Sequence, residues 1–269
     1  MSRVSLLGIP HDENSSFLRG PSEAPPLIRR ELCCDAYSMW TETGFDLGVA
    51  DRLVDHGDVH FDGADDPWNV IEHSVGRALK SGDPLICLGG DHAISHPIVR
   101  AVRQNHPQLT ILHIDAHPDI YDAYQDNPRS HASPFARIME ERLADRLIQV
   151  GIRTLNQHLR EQIRRFGVQV IEARHFDAGL RLDITTPVYI SIDLDGLDPA
   201  CAPGVSHREP GGLTTRQVIN LLHTIEQPIV AADIVEYNPR CDLSNVTATV
   251  SAKLLKEIAG MMLKTNAAE

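Results

Sequence analysis

The chain has 269 residues, with 37 acidic and 25 basic side chains and a formal net charge of −12. Hydrophobic residues make up 42% of the sequence, enough for a large core, which excludes intrinsic disorder for most of the chain. The acidic balance argues against a nucleic-acid partner, and the absence of an apolar run of roughly 20 residues argues against a membrane partner.

Short apolar runs bounded by Gly, Pro or Asp predict seven β-strands. Near-continuous hydrophobicity, as in Val188–Asp193, is typical of strands covered on both faces in a parallel sheet. The acidic and aperiodic segment Asp51–Asp66 is predicted to be a surface loop. In chain order the predicted strands are Val4–Pro10, Pro84–Gly89, Thr110–Asp115, Leu147–Ile152, Val168–Ile171, Val188–Asp193 and Ile229–Val235.

Helical patterns alternate with these runs. Apolar residues recur at helical spacing in His158–Phe166, after a helix start at Thr214, and after Asn245. Alternating strands and helices indicate the α/β class, as a three-layer α/β/α sandwich with a mainly parallel, doubly wound sheet. Nothing resembles a linker, so residues 1–269 are predicted to form a single domain.

The ends of four predicted strands carry imidazoles and carboxylates. In open parallel sheets the active site lies at the carboxyl ends of the strands, so these side chains are expected to meet at one edge. Residues two apart in an extended segment point the same way, so the acids and imidazoles within each segment can converge. The four segments are Gly89–His92, Asp115–Asp119, Asp193–Asp198 and Glu236–Pro239.

The composition of this edge indicates a centre with two divalent ions. Oxygen ligands in excess over imidazoles suit hard or borderline ions such as Mn²⁺. Asp115, Asp119, Asp193 and Asp195 carry about four negative charges, and packing them together without compensation would raise their pKa values. Two divalent cations cancel that charge and can share a water whose pKa they lower.

The five cysteines are Cys33, Cys34, Cys87, Cys201 and Cys241. They form no C-x-x-C motif, and their odd number and scattered positions indicate reduced thiols. On this basis the protein is expected to be cytoplasmic.

Three segments identify a resemblance. Gly89-Gly-Asp-His92, Asp115-Ala-His-Pro-Asp119 and Ser191-Ile-Asp-Leu-Asp-Gly-Leu-Asp-Pro199 resemble the signatures of the ureohydrolases, the arginase and agmatinase family. The resemblance continues through Ser130–Pro134 and Asp233–Pro239 and covers nearly the whole chain. It is strongest to the plant-type arginase and agmatinase branch.

The resemblance implies two Mn²⁺ per chain and a hydroxide, bridging the ions, that attacks the guanidinium carbon and releases urea. Asp115 and Asp193 would each bridge the ions. The implied ligands of one ion are His92, Asp115, Asp119 and Asp193, and those of the other are Asp115, His117, Asp193 and Asp195.

Two further residues have implied catalytic roles. Glu236 occupies the family position of the carboxylate that orients the guanidinium, whose fork of N–H donors suits a carboxylate. His131 occupies the position of an imidazole that delivers a proton to the leaving amine. His113 is expected in the core or behind a metal ligand, and Asp198 is expected to support its own loop.

The substrate is less well defined by the sequence. Animal-type arginases have Ile-Asn after the aspartate at the position of Asp119, where this chain has Ile120-Tyr121. Asn127 and Asn156 are candidate contacts to the far end of the substrate. L-Arginine is favoured, with agmatine or another guanidino compound as the alternative, and a homotrimer or homohexamer is implied by the resemblance.

Two other classes of function are weighed against this one. A zinc deacetylase shares the broad architecture but uses one metal and usually a His-His pair, where this chain has His131-Ala132. An inactive regulatory subunit would lack some of the metal ligands, whereas all six predicted ligand residues are present in this sequence.

Overall fold

A single sheet of eight parallel strands dominates the computed structural model, which describes residues 3–63 and 65–266. The strand order across the sheet is β2-β1-β3-β8-β7-β4-β5-β6. The strands are β1 (Val4–Gly8), β2 (Leu53–Asp58), β3 (Leu85–Leu88), β4 (Thr110–Ile114), β5 (Arg146–Ile152), β6 (Gln169–Glu172), β7 (Val188–Asp193) and β8 (Ile229–Val235).

Helices cover both faces of the sheet. They are α1 (Ala24–Leu32), α2 (Pro67–Ala78), α3 (Ser95–Arg103), α4 (Pro134–Glu140), α5 (Gln157–Phe166), α6 (Thr215–Leu222) and α7 (Val246–Asn266). Residues of α1, α6 and α7 share one buried cluster with one side of the strands. Residues of α2, α3, α4 and α5 share a second cluster with the other side. The predicted three-layer α/β/α sandwich is therefore confirmed.

The two clusters follow from the alternation of side chains along a strand. In β3, Ile86 and Leu88 belong to the first cluster, whereas Leu85 and Cys87 belong to the second. All four side chains are fully buried. This explains the near-continuous apolar runs, since a strand covered on both faces has no solvent-facing side.

All seven predicted strands are present, with small shifts at their ends, but one strand was missed. The segment Asp51–Asp66, predicted to be a surface loop, contains β2, which pairs with β1 at the edge of the sheet. The prediction of a loop is wrong because Leu53–Asp58 is a half-exposed edge strand with few apolar residues. Backbone pairing with β1 holds the segment, and the side-chain pattern gives no sign of it.

The sheet order explains how the site is assembled. The four central strands β3, β8, β7 and β4 are neighbours, although they are far apart in sequence. Because all the strands are parallel, their carboxyl ends lie on the same edge of the sheet. The residues that follow these four strands therefore meet there, as expected for a ligand site in this class of fold.

Two other sequence expectations concern membrane-spanning segments and the state of the cysteines. Within residues 3–63 and 65–266, no helix is both long enough and apolar enough to cross a lipid bilayer. The five cysteines are free thiols, in agreement with the predicted reduced state.

Candidate metal centre and active site

The structure brings all six predicted metal ligands together in two overlapping groups. His92, Asp115, Asp119 and Asp193 form the first group, and Asp115, His117 and Asp195 form the second. Within each group the potential ligand atoms all lie within 4.8 Å of one another. Asp115 belongs to both groups, so they are adjacent halves of one centre.

In the first group, three carboxylate oxygens surround Nδ1 of His92. They belong to Asp115 at 3.2 Å, Asp119 at 3.1 Å and Asp193 at 3.1 Å. A single ring nitrogen can donate at most one hydrogen bond, so direct contacts cannot satisfy all three oxygens. Convergence of three oxygens and one nitrogen on a common point instead fits the coordination of a divalent cation.

In the second group, Nδ1 of His117 lies 3.1 Å from Oδ2 of Asp195 and 3.5 Å from Oδ1 of Asp115. The two oxygens of Asp115 are thus divided, since Oδ2 faces His92 and Oδ1 faces His117. This is the geometry of a bridging carboxylate. Asp193 contributes only to the first group here, and its Oδ1 accepts a hydrogen bond from the backbone N–H of Asp195 at 2.8 Å.

The electrostatics of the centre agree with a site for cations. Burial and the charges of Asp195 and Asp115 raise the pKa of Asp193 well above its usual range. Burial likewise raises the pKa of Asp195 to about 6, although the neighbouring His117 opposes the shift. Buried carboxylates so close together are destabilised as anions unless positive charge lies between them. The residues present therefore fit two divalent ions, and oxygen ligands in excess fit manganese.

The backbone is constrained at two residues of the site. Asp119 has a φ of 47° and Glu236 has a φ of 63°, in the left-handed region that non-glycine residues seldom adopt. A Cβ at Gly196 would lie 2.8 Å from the backbone N and Cα of Asp115, so the turn after β7 packs directly on the end of β4. Strained conformations of this kind persist where the surrounding structure enforces them, and they cluster at functional sites.

Hydrogen bonds behind the metal groups fix the orientation of the ligands. Ser191 Oγ lies 2.9 Å from Nε2 of His92 and donates to Oδ1 of Asp233 at 2.6 Å. With its proton on Nε2, His92 presents Nδ1 as a lone pair towards the three carboxylates. His113 Nε2 lies 2.7 Å from Oδ2 of Asp115, so His113 holds a shared ligand, as the sequence suggested.

Beside the metal groups lies an imidazole–carboxylate pair. His131 Nδ1 is 2.8 Å from Oε1 of Glu236, and its Nε2 is 2.8 Å from the hydroxyl of Ser16. Burial alone would lower the pKa of His131, but the charge and hydrogen bond of Glu236, together with the charges of Asp119 and Asp91, outweigh burial and raise the pKa to about 9. The imidazole is therefore protonated at neutral pH and can deliver a proton. The backbone N–H of His92 also donates to Oε1 of Glu236, at 2.9 Å.

A cavity of about 450 Å³ opens onto this centre. Its described lining includes the predicted residues His117, Asp119, Asp193, Asp195, His131 and Glu236, together with Asn156. His92 and Asp115 lie beneath them, fully buried. Asn127 does not line the cavity: its amide nitrogen donates to Asn14 Oδ1 and its oxygen accepts the backbone N–H of Arg129. The structure thus brings Asn156 to the site and leaves Asn127 outside it.

Of the residues that line the cavity without having been predicted as site residues, three lie next to predicted ones. They are Ser16, which contacts His131, Tyr121, which accepts a hydrogen bond from Asn156 at 2.6 Å, and His207. The loop that follows β7 carries His207 back over the centre. The available signal was its position directly after Pro203-Gly-Val-Ser206, a segment that already belonged to the resemblance. Asp198, in the same loop, accepts backbone N–H groups of Ala200, Gly211 and Gly212, which confirms its supporting role.

Comparison with known proteins gives the same family. A protein-family model with the description "Arginase family" matches residues 2–260. The chain belongs to the arginase family. This family member is 49% identical to "Arginase 1, mitochondrial" of Arabidopsis thaliana, over 97% of this chain and 81% of that protein. It is 35% identical to an N(1)-aminopropylagmatine ureohydrolase of Thermus thermophilus, over 88% of this chain and 83% of that protein.

A solved structure in the same family is also similar. The arginase from Medicago truncatula superimposes with a TM-score of 0.92 at 44% identity, covering 97% of this chain and 87% of that chain. The similarity to plant-type arginases is therefore not confined to short motifs and covers nearly the whole fold.

The expected cytoplasmic location is wrong. The plant relatives carry the names "mitochondrial" or "chloroplastic/mitochondrial", which point to organelles. The error has a physical reason: free thiols indicate a reducing compartment, but they do not distinguish one reducing compartment from another.

Proposed function

We propose that this arginase-family chain is a ureohydrolase that hydrolyses L-arginine to ornithine and urea with two manganese ions. The observation that carries the proposal is the pair of ligand groups sharing Asp115, which adjoin a cavity containing the His131–Glu236 pair. The similarity to plant arginases supports the choice of reaction.

Six side chains would hold the ions. When bound, two divalent ions lower the pKa of a shared water, so that hydroxide is available at neutral pH. We assign Asp115 to both ions because it belongs to both ligand groups, and Asp193 to both because the family resemblance implies it. His92 and Asp119 complete one set of ligands, and His117 and Asp195 complete the other.

Glu236 would orient the guanidinium group. Both hydrogen bonds found for its side chain among the described residues are accepted by Oε1, so Oε2 remains for the substrate. Burial raises the pKa of Glu236, but the charge and hydrogen bond of His131 and the contacts with His92 together outweigh burial and lower it, so the carboxylate is ionised. A buried, ionised carboxylate can accept two N–H bonds from a planar guanidinium and hold its carbon in a fixed position.

His131 would act as the general acid. Its protonated ring lies beside the guanidinium site, because its hydrogen-bond partner is Glu236. Transfer of its proton to the leaving nitrogen turns a poor leaving group into a neutral amine. Ser16 holds the other ring nitrogen and so fixes the direction in which the ring faces.

The distribution of charge in the cavity favours arginine over agmatine. The carboxylates that line it are Asp119, Asp193, Asp195 and Glu236, all at the metal end. The terminal ammonium of agmatine would therefore find no carboxylate at the outer end of the described lining. An α-amino acid brings its own carboxylate and needs donors there, and Asn156 is one polar group at that end.

A urea-release assay tests the reaction. The manganese-loaded protein is offered L-arginine, agmatine, guanidinobutyrate and guanidine at equal concentrations. Release from arginine at the highest kcat/KM is expected, whereas a preference for agmatine would make the protein an agmatinase. Metal analysis after loading separates the other classes, because two Mn²⁺ per chain fit a ureohydrolase, one Zn²⁺ fits a deacetylase, and none fits an inactive subunit.

Two further features belong to the proposal. Residues 1–269 form a single ureohydrolase domain, which is supported by the one continuous sheet. A homotrimer or homohexamer is taken from the family resemblance, and sedimentation of the purified protein would test it.

A further inference from the structure

His207 has no role in the proposed chemistry, yet it faces the reaction centre. It lines the cavity, and its ring lies 5.1 Å from the ring of His131 and 6.1 Å from that of His117, measured between centroids. Phe17 packs on it at 5.7 Å. Within residues 3–63 and 65–266, neither ring nitrogen of His207 has a hydrogen-bond partner. The ring is held by packing while its polar atoms remain available.

Two other polar side chains of this cavity wall already make hydrogen bonds within the protein. The oxygen of Asn156 accepts the backbone N–H of Leu159, and its amide nitrogen donates to Tyr121. Thr154 donates its hydroxyl proton to the carbonyl oxygen of Ala116.

Arg153 is also unavailable, although it lines the cavity with a permanent positive charge. Its guanidinium donates to five backbone carbonyls, which tie the turn after β7 to the loop behind it. The acceptors are Gly151, Asp195, Gly196, Leu197 and Glu209. Binding a substrate carboxylate would require Arg153 to give up these bonds. His207 is thus a nitrogen donor of the described lining that would give up no existing hydrogen bond on binding a carboxylate.

We infer that His207 binds the α-carboxylate of the substrate amino acid. The inference rests on the proposed function and deepens it, because it names the group that distinguishes arginine from its decarboxylated analogue agmatine. An imidazole N–H can donate one hydrogen bond to a carboxylate oxygen, and the partial burial of the ring strengthens that bond.

The distances agree with this assignment. An extended arginine side chain separates the guanidinium carbon from the carboxylate carbon by roughly 7 Å, from six bonds of ordinary length. His207 lies 5.1 Å from His131, which contacts the guanidinium-orienting Glu236 at 2.8 Å. The free nitrogens of His207 are therefore within reach of the far end of a substrate whose guanidinium is held at Glu236.

The test uses two ligands that differ only in the carboxylate. Ornithine and putrescine are titrated calorimetrically into the manganese-loaded wild-type protein and into His207→Phe and His207→Gln. Phenylalanine keeps the ring packing against Phe17 and His131 but removes both nitrogens, whereas glutamine restores a donor. Ornithine is expected to bind His207→Phe about tenfold to a hundredfold more weakly than the wild type. The loss of one hydrogen bond to a charged group changes an affinity by about this factor.

Three further results are expected. Putrescine binds the wild type and His207→Phe alike, and His207→Gln recovers part of the ornithine affinity. In the urea assay the KM for arginine rises by a similar factor while kcat changes by less than about threefold, because the lost contact is equal in the ground and transition states. Thr154→Val, which alters the same wall without removing a free donor, is the control and should bind ornithine as the wild type does.

The inference fails if ornithine binds His207→Phe as tightly as it binds the wild type, or if ornithine and putrescine weaken by the same factor. It also fails if Tyr121→Phe, and not His207→Phe, removes the preference for ornithine, since the tyrosine hydroxyl is then the carboxylate donor. If putrescine binding is too weak to detect, the ornithine affinity and the KM for arginine decide. Manganese content is measured for each variant, so that loss of the centre is recognised. Absence of urea release by the wild type would reject the proposed function itself, which is a separate result.

Discussion

Ser191 Oγ lies 2.9 Å from Nε2 of His92, on the side of the ring opposite the three carboxylates. The serine hydroxyl donates a hydrogen bond to Asp233, which also accepts hydrogen bonds from Ser95 and Tyr189. All of these side chains are fully buried. The tautomer of a metal ligand is thus set by a carboxylate that itself lies outside the metal groups.

Replacement of Ser191 by alanine should weaken manganese binding about tenfold to a hundredfold, because groups that orient a metal-ligating histidine typically have that effect. The dissociation constant is measured by competition with a chelator of known affinity. Ser251→Ala is a matched control, since Ser251 is also fully buried but donates within α7 to Thr247. Equal affinities for the two variants would contradict the role of Ser191.

The sharing of Asp115 predicts a difference between ligand variants. Asp115→Ala should lose both ions, because this residue belongs to both groups, whereas Asp195→Ala should lose only one. Asp193→Ala should lose activity and at least one ion. Metal content per chain is measured by elemental analysis after gel filtration. Two ions retained in Asp115→Ala, or in Asp193→Ala, would exclude the assignment of that residue.

Glu236→Gln should leave the metal content unchanged and lower kcat about a hundredfold or more, since the amide still accepts the backbone N–H of His92 but cannot pair as an anion with a guanidinium. Urea release and manganese content are measured on the same preparation. A rate close to that of the wild type would remove Glu236 from the mechanism.

The His131–Glu236 pair predicts a pH dependence of stability. The folded pKa of His131, about 9, lies above its unfolded value of 6.5, so the stabilisation is fully present below pH 6.5 and is lost as the pH rises through 9. The size of the effect is about 3 kcal/mol, from a pKa that rises from 6.5 to about 9.

The measurement is urea unfolding of the metal-free protein between pH 6 and pH 10, for the wild type and for His131→Asn. The wild type should lose more of its free energy of unfolding over this range than the variant. Parallel pH profiles for the two proteins would show that the pair contributes nothing to this dependence.

The convergence of the predicted metal ligands could be expected from the sequence for a physical reason. In a parallel sheet all the carboxyl ends of the strands fall on one edge, so polar residues that follow buried apolar runs, among them His92, Asp115 and Asp193, could be expected to meet without knowledge of the strand order. The strand β2 was missed because an edge strand needs only backbone pairing and carries no apolar run.

Loop residues were predicted less reliably. Asn127 and His207 both lie in irregular segments, where the direction of a side chain depends on local hydrogen bonds and packing and has no periodic pattern. Asn127 turns towards Asn14 and the backbone of Arg129, whereas His207 is held over the cavity by Phe17. Both outcomes depend on contacts with the loop after β1, which is distant in sequence from either residue.

The position of β8 has a consequence for how this molecule is made. It comes last in sequence among the strands of residues 3–63 and 65–266, but it lies between β3 and β7 and joins two otherwise separate halves of the sheet. A nascent chain that has not yet emerged as far as β8 therefore lacks the strand that closes the centre, and it also lacks Glu236. Assembly of the centre must therefore await contacts of long sequence separation, which form slowly because a long loop has to close first.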